Sequence, residues 1–105
     1  MTQLSEKIYE LLKQIPKGKI TTYKELGKAL HTKAYRAIGQ ILRVNPNAPE
    51  VPCHRVVASD GSIGGYMGKT NGEAIKKKIA LLKKEGIEVK QNKIVDFEKV
   101  LYHFS

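Results

Sequence analysis

At 105 residues, with 41% hydrophobic and 28% charged positions, the chain is large enough for one folded domain over residues 1–105; it is too short for a separate cofactor domain and too apolar for a disordered tail. Nineteen Lys and Arg against ten Asp and Glu leave a formal charge of +9, which suits a polyanion such as nucleic acid and equally suits lysine-rich helix faces that stay wet. One cysteine excludes an internal disulfide, and with three scattered histidines it argues against a structural metal site.

The N-terminus carries no apolar leader, and no run is long enough to span a bilayer, so the expected location is cytoplasmic and nucleoid-associated, without a membrane partner. Leu4, Ile8, Leu11, Leu12 and Ile15 recur at helical spacing and predict a helix over residues 4–15, closed by Pro16-Lys17-Gly18. Ile20-Thr21 is a short extended step. Thr22-Tyr23-Lys24-Glu25 reads as a reciprocal capping box, the Thr22 hydroxyl on the Glu25 amide and the Glu25 side chain reaching back, for a helix to about Leu30. Thr32 is placed to cap a third helix with Ala34, Ala37, Ile38, Ile41 and Leu42 on one face. Two short helices joined by a tight turn have the outline of a helix-turn-helix, an outline that any two packed helices share.

A turn-rich loop, residues 45–52, leads into Cys53-His54-Arg55-Val56-Val57. Asp60-Gly61 ahead of Ile63 signals a turn and a small hairpin. Gly64, Gly65 and Gly68 surround Tyr66, leaving that backbone free to approach a ligand or another loop. A helix follows over about residues 70–85, with Ala74, Ile75, Ile79 and Leu82 inward and Lys76, Lys77, Lys78, Lys83 and Lys84 mostly outward in solvent. Gly86 suits the position just beyond its end. The tail holds a strand near Ile94-Val95 and then Phe97, Val100, Leu101, Tyr102 and Phe104, whose arrangement the pattern leaves open.

Cys53 is open to two readings, a nucleophile activated by a neighbouring imidazole or a small buried hydrophobe. Adjacent residues of an extended chain point to opposite sides, so Cys53 and His54 need a tight turn or a bridging water to cooperate. Tyr23 could pack on the core, Arg36 could meet a phosphate, and Asn45 could simply form a turn. Glu85 could be a surface acid at a helix C-terminus, although there it opposes the helix dipole and wants a reason to be there.

The string Pro52-Cys53-His54-Arg55-Val56-Val57 resembles the active-site signature of the O6-alkylguanine-DNA alkyltransferase family. Gly18 to Leu26 resembles the segment opening that family's helix-turn-helix, and Arg36 to Pro46 its recognition helix and Asn-Pro turn. Gly64-Gly65-Tyr66 resembles its pocket loop, and Leu81 to Gly86 its last helix end. The resemblance covers roughly Leu4 to Gly86 in the family's order. It implies a mainly α fold with a small β element, a winged-helix-like domain containing a helix-turn-helix. It implies repair by irreversible, single-turnover transfer of an alkyl group from O6-alkylguanine in duplex DNA to Cys53, with no cofactor and no metal, by a monomer. His54 would deprotonate Cys53 through a water, Glu85 would orient His54, Asn45 would brace the loop, and Tyr23 would donate to the departing guanine. Arg36 would fill the gap left by the extruded base, and Tyr23, Thr22, Ala37 and Arg43 would join it at the DNA. Tyr66, Val56, Met67 and Gly68 would form the pocket, with backbone groups of Cys53 and Val56 reading the base edge.

Two departures stand out. The family's usual N-terminal domain has no counterpart in these residues, and Met67 replaces a small polar residue after the pocket tyrosine. The segment after Glu88 matches nothing in the family's pattern. The main alternative is an alkyltransferase-like protein, which binds the lesion and flags it for other repair without transfer. A sequence-specific DNA-binding regulator and a Cys-His hydrolase are the remaining rivals.

Overall fold

A computed structural model describes residues 3–46, 50–66, 69 and 72–104; Met67 and Gly68, expected in the pocket, lie outside the described residues. Helix α1 (Gln3–Gln14) turns Ile8, Tyr9 and Leu12 inward, and Tyr9 donates from its hydroxyl to the Ile41 carbonyl at 2.9 Å. Strand β1 (Thr21–Thr22) runs straight into α2 (Tyr23–Ala29). The Thr22 hydroxyl accepts the Glu25 amide at 3.1 Å, which is half of the expected capping box. The other half does not form: the Glu25 carboxylate meets His103 Nδ1 at 2.7 Å and Lys28 at 3.9 Å.

Helix α3 (Tyr35–Arg43) packs against α2 through Gly27, where a Cβ would stand 2.6 Å from Tyr35 and 2.7 Å from the Thr32 carbonyl. Thr32 is not its cap. The Thr32 hydroxyl closes a turn on the Ala34 amide at 3.1 Å, and α3 begins beyond it with no side-chain cap. Ile38 and Leu42 are buried, whereas Ala34 is exposed.

Strand β2 (Val56–Val57) pairs in parallel with β1, Thr21 opposite Val56 and Thr22 opposite Val57. A hairpin from β2 to Ile63 was the expectation. The turn itself exists, with Asp60 holding the Ser62 amide at 2.9 Å and Ala58 bonded to Ser62, but β2 finds its ladder partner 35 residues earlier. Helix α4 (Glu73–Lys84) ends in a Schellman motif: Ile87 N–H returns to Leu82 O at 2.9 Å and Gly86 N–H to Lys83 O at 3.0 Å. Gly86 has φ +89, which a side chain would strain. Lys78, expected among the mostly outward lysines of this helix, is instead fully buried.

The tail forms a hairpin, β3 (Val89–Lys90) with β4 (Lys93–Ile94), turned by Gln91 and Asn92 at positive φ. Strand β4 overlaps the strand expected near Ile94-Val95, offset by one residue. After α5 (Phe97–Val100) the chain returns to the front of the molecule: Ile20 N–H bonds Val100 O at 3.0 Å and Tyr102 N–H bonds Ile20 O at 2.7 Å. The architecture is thus mainly helical with two small sheets. No described helix is long and apolar enough to cross a membrane.

Candidate active site

Pro52, at φ −82 and ψ 68, forms an inverse γ-turn in which Cys53 N–H bonds Val51 O at 2.8 Å. A single 3-10 turn over Cys53–Arg55 follows. The chain here is not extended, so the objection that neighbouring side chains must diverge does not hold. Cys53 lines a cavity of about 320 Å³, and His54 is buried at 2% exposure. Asn45, itself buried, donates to the Val51 carbonyl at 2.7 Å and hydrogen-bonds Cys53. One side chain therefore holds both the loop before the cysteine and the cysteine.

The end of α4 meets the 3-10 turn. Glu85 accepts from Arg55 twice, at 2.8 and 2.7 Å, and faces His54 Nε2 at 3.0 Å. Arg55 also donates to the Ile15 carbonyl at 2.6 Å, tying the end of α1 to the same cluster. The acid that opposed its helix dipole thus has two partners, and the Schellman turn sets where it stands.

Burial pushes the Cys53 thiol up, and the Asn45 hydrogen bond and the Lys78 charge only partly offset this. The cysteine therefore rests as a thiol. Burial pushes His54 down despite Glu85, so its imidazole is neutral at pH 7. A neutral ring facing a carboxylate through Nε2 carries its hydrogen there. The remaining nitrogen, Nδ1, is the acceptor; it is buried and has no hydrogen-bond partner among the described residues. Burial works to raise Glu85, but hydrogen bonds from Arg55 and His54 outweigh it and hold the carboxyl below its ordinary value.

Tyr23, the first residue of α2, lines the cavity with Arg36, Gly39, Gln40, Leu42 and Arg43 of α3, and with Gly65, Tyr66 and Lys69. Burial and the charge that Cys53 would carry as a thiolate push both Tyr23 and Tyr66 up. Both hydroxyls keep their protons and can donate. Tyr23, Arg36 and Gly39 also line a second hollow of about 620 Å³ with Lys24, Tyr35 and Ser59. They form the partition between the two.

The structure thus brings Cys53, Tyr23, Arg36, Arg43 and Tyr66 to one cavity, with Asn45, His54 and Glu85 behind the cysteine. Thr22 is not presented there, being 3% exposed with its hydroxyl on Glu25. Ala37 is half-buried on α3 and does not line the cavity. The Val56 carbonyl already accepts from Lys78 at 2.8 Å. Sequence reasoning assigned no part to Arg55, Gln40, Lys69 or Lys78. For Lys78 a signal existed: it stands three residues after Ile75 and four before Leu82, inside the apolar stripe of α4.

Over residues 3–87 the chain matches the family described as 6-O-methylguanine DNA methyltransferase, DNA binding domain. It is 43% identical over 89 residues to a methylated-DNA--protein-cysteine methyltransferase of Thermococcus kodakarensis, covering 84% of this chain and 47% of that one. The structure of Mycobacterium tuberculosis OGT in complex with DNA superposes with a TM-score of 0.71 at 35% identity, over 81% of this chain and 50% of that one. S. pombe Atl1, in complex with damaged DNA containing O6-carboxymethylguanine, superposes with a TM-score of 0.82 over 97% of this chain and 96% of that one. At 24% identity, that likeness is one of fold. The chain spans between 28% and 50% of the length of the curated relatives it matches.

Proposed function

The chain belongs to the 6-O-methylguanine DNA methyltransferase family, in its DNA-binding domain, and from that premise we propose that it binds O6-alkylguanine in duplex DNA with the damaged base turned out into the Cys53 cavity. An O6-alkyl group inside a stacked duplex is out of reach, and a weakened pair costs less to open. The cavity, at about 320 Å³, sits at the small end of ligand pockets and suits one base. Arg36, exposed on the partition beside it, would take the place of the extruded base and stack on its neighbours. Arg43 and Lys69 on the rim would meet phosphates.

The observation that carries the reading further is Cys53 on the wall of that cavity, followed in the same 3-10 turn by His54, whose Nε2 faces Glu85 at 3.0 Å. We infer that Cys53 accepts the alkyl group. Its sulfur would attack the alkyl carbon as the bond from that carbon to guanine O6 breaks. The thiol proton would pass through a water to His54 Nδ1, and Glu85 would stabilise the imidazolium that results. Tyr23 would donate to the departing guanine, whose negative charge otherwise makes it a poor leaving group. The thioether left on Cys53 is inert to water, so each molecule acts once. The step needs no metal and no cofactor, and a monomer holds all the residues.

Lesion binding without transfer is the second reading, and one observation favours it. S. pombe Atl1, in complex with damaged DNA containing O6-carboxymethylguanine, shares this fold over 97% of this chain and 96% of that one. Mass spectrometry after incubation with a duplex holding one O6-methylguanine separates the two. One methyl on the Cys53 peptide, with guanine restored and Cys53→Ser binding the lesion without reacting, supports transfer. Tight lesion binding with no mass change leaves the binding function alone. No preference for the damaged duplex would sink both.

A further inference from the structure

Lys78 has no task in that scheme, and its setting is costly. It lies in the middle of α4 with its side chain fully buried, where an ammonium group is expensive unless every hydrogen is matched. Here each is matched. Nζ donates to Val56 O at 2.8 Å in β2, to Ile63 O at 2.5 Å beyond the Asp60 turn, and to Gly65 O at 2.9 Å in the loop that carries Tyr66. Three separate stretches of backbone converge on one nitrogen with three hydrogens. The loop also closes tightly around it. A Cβ on Gly64, whose φ is +70, would stand 3.4 Å from the Ala58 amide and 3.9 Å from Nζ.

We infer that Lys78 is a positioning residue for lesion recognition: its ammonium holds β2 and the Gly65-Tyr66 wall at the spacing that receives the flipped base. This deepens the proposed function and rests on it. One of the three tethered stretches borders the cavity directly, since Gly65 and Tyr66 line it, and a second, at Val56, follows the turn that presents Cys53. The third, at Ile63, fixes the stretch of chain between them. Burial pushes Lys78 down to about 7, and the titratable groups sharing its surroundings are Cys53 and His54. A neutral amine keeps two hydrogens for three carbonyls, so losing the proton releases one tether.

The test compares Lys78→Met, similar in length and without donors, with the wild-type chain on two duplexes, one carrying a single O6-methylguanine and one undamaged. Affinity for the undamaged duplex stays within about twofold, because Arg36 and Arg43 are untouched. Preference for the damaged duplex falls about tenfold or more, the worth of one charge-assisted hydrogen bond. A folded variant that keeps its full preference overturns the inference. If the variant does not fold, a DNA-free NMR titration of the wild-type chain decides, carried up in pH until Lys78 loses its proton. The amides of Gly64, Gly65 and Tyr66 then shift with the same midpoint as the Lys78 Cε signal. Loop amides that stay fixed while Lys78 titrates overturn it. A wild-type chain with no preference for the lesion sinks the proposed function instead, and the titration still tests the tether.

Discussion

Replacing Glu85 by glutamine removes one charge while nearly preserving shape. The carboxylate accepts Arg55 in two bonds, at 2.8 and 2.7 Å, and faces His54 at 3.0 Å. The side chains of Glu85 and Arg55 are 12% and 16% exposed. Removing one partner of a fully buried pair costs about 3–5 kcal/mol, and a surface pair is worth less than about 1 kcal/mol. Arg55 keeps the Ile15 carbonyl at 2.6 Å and one amide oxygen in the variant, and it has some access to water. Those features place Glu85→Gln between the two limits, at about 2 kcal/mol. For a domain of this size that lowers the urea midpoint by about 1 M at pH 7. The pH dependence follows from the direction of the Glu85 shift, since Arg55 and His54 hold the folded carboxyl below its ordinary value near 4.5. A depressed carboxyl contributes stability that is full above the unfolded value and lost as pH falls through the folded one. The gap between wild type and variant is therefore widest at neutral pH, begins to close below about 4.5, and vanishes only under the folded value. Equal midpoints at pH 7, or a gap unchanged into acid, would refute the reasoning.

Gly27→Ala sets a methyl 2.7 Å from the Thr32 carbonyl, which cannot turn aside as the Tyr35 ring can. The overpacking cost of about 1–3 kcal/mol exceeds the helix-propensity gain of about 1 kcal/mol, so Tm falls by several degrees; an unchanged Tm contradicts the close approach. Duplex affinity falls linearly with salt on logarithmic axes, and Arg36→Gln reduces that slope by about one if the side chain meets a phosphate but little if it fills the stack. The proposed transfer would need neutral His54, whose pKa burial holds below the ordinary value of 6.5. Single-turnover rates would therefore hold from neutrality down through pH 6.5 and fall only in more acid solution; a rate already halved at pH 6.5 would remove His54 from the role of base.

Local chemistry was legible in the residues. Thr22 caps α2, Gly86 closes α4 at positive φ, and Asp60-Gly61 makes a turn, because each depends on atoms within a few positions. The cysteine neighbourhood was legible through its hexapeptide, although not its 3-10 turn, which Pro52 imposes through one γ-turn. What escaped were choices made across the fold. Thr21-Thr22 and Val56-Val57 are too short to announce a parallel pairing, and Glu25 abandons its capping partner for His103, 78 residues away. Lys78 was misread because three consecutive lysines look solvated, yet a helix turns about 100° per residue and one of the three must follow Ile75 inward.

The return of residues 100–102 to Ile20 sets an order of events at birth. Helices α1, α2 and α3 draw on neighbours close in sequence and can gather while later residues are still being translated. The Thr21 hydroxyl bonds the Tyr102 carbonyl across 81 residues, and Ile20 is bonded on both sides by Val100 and Tyr102. Closing so long a loop carries an entropic toll that is met only after residues 100–102 are made. The helices that would face DNA can therefore mature first, while β1, the neighbour that anchors the strand just after Cys53, waits for residues 100–102 to leave the ribosome.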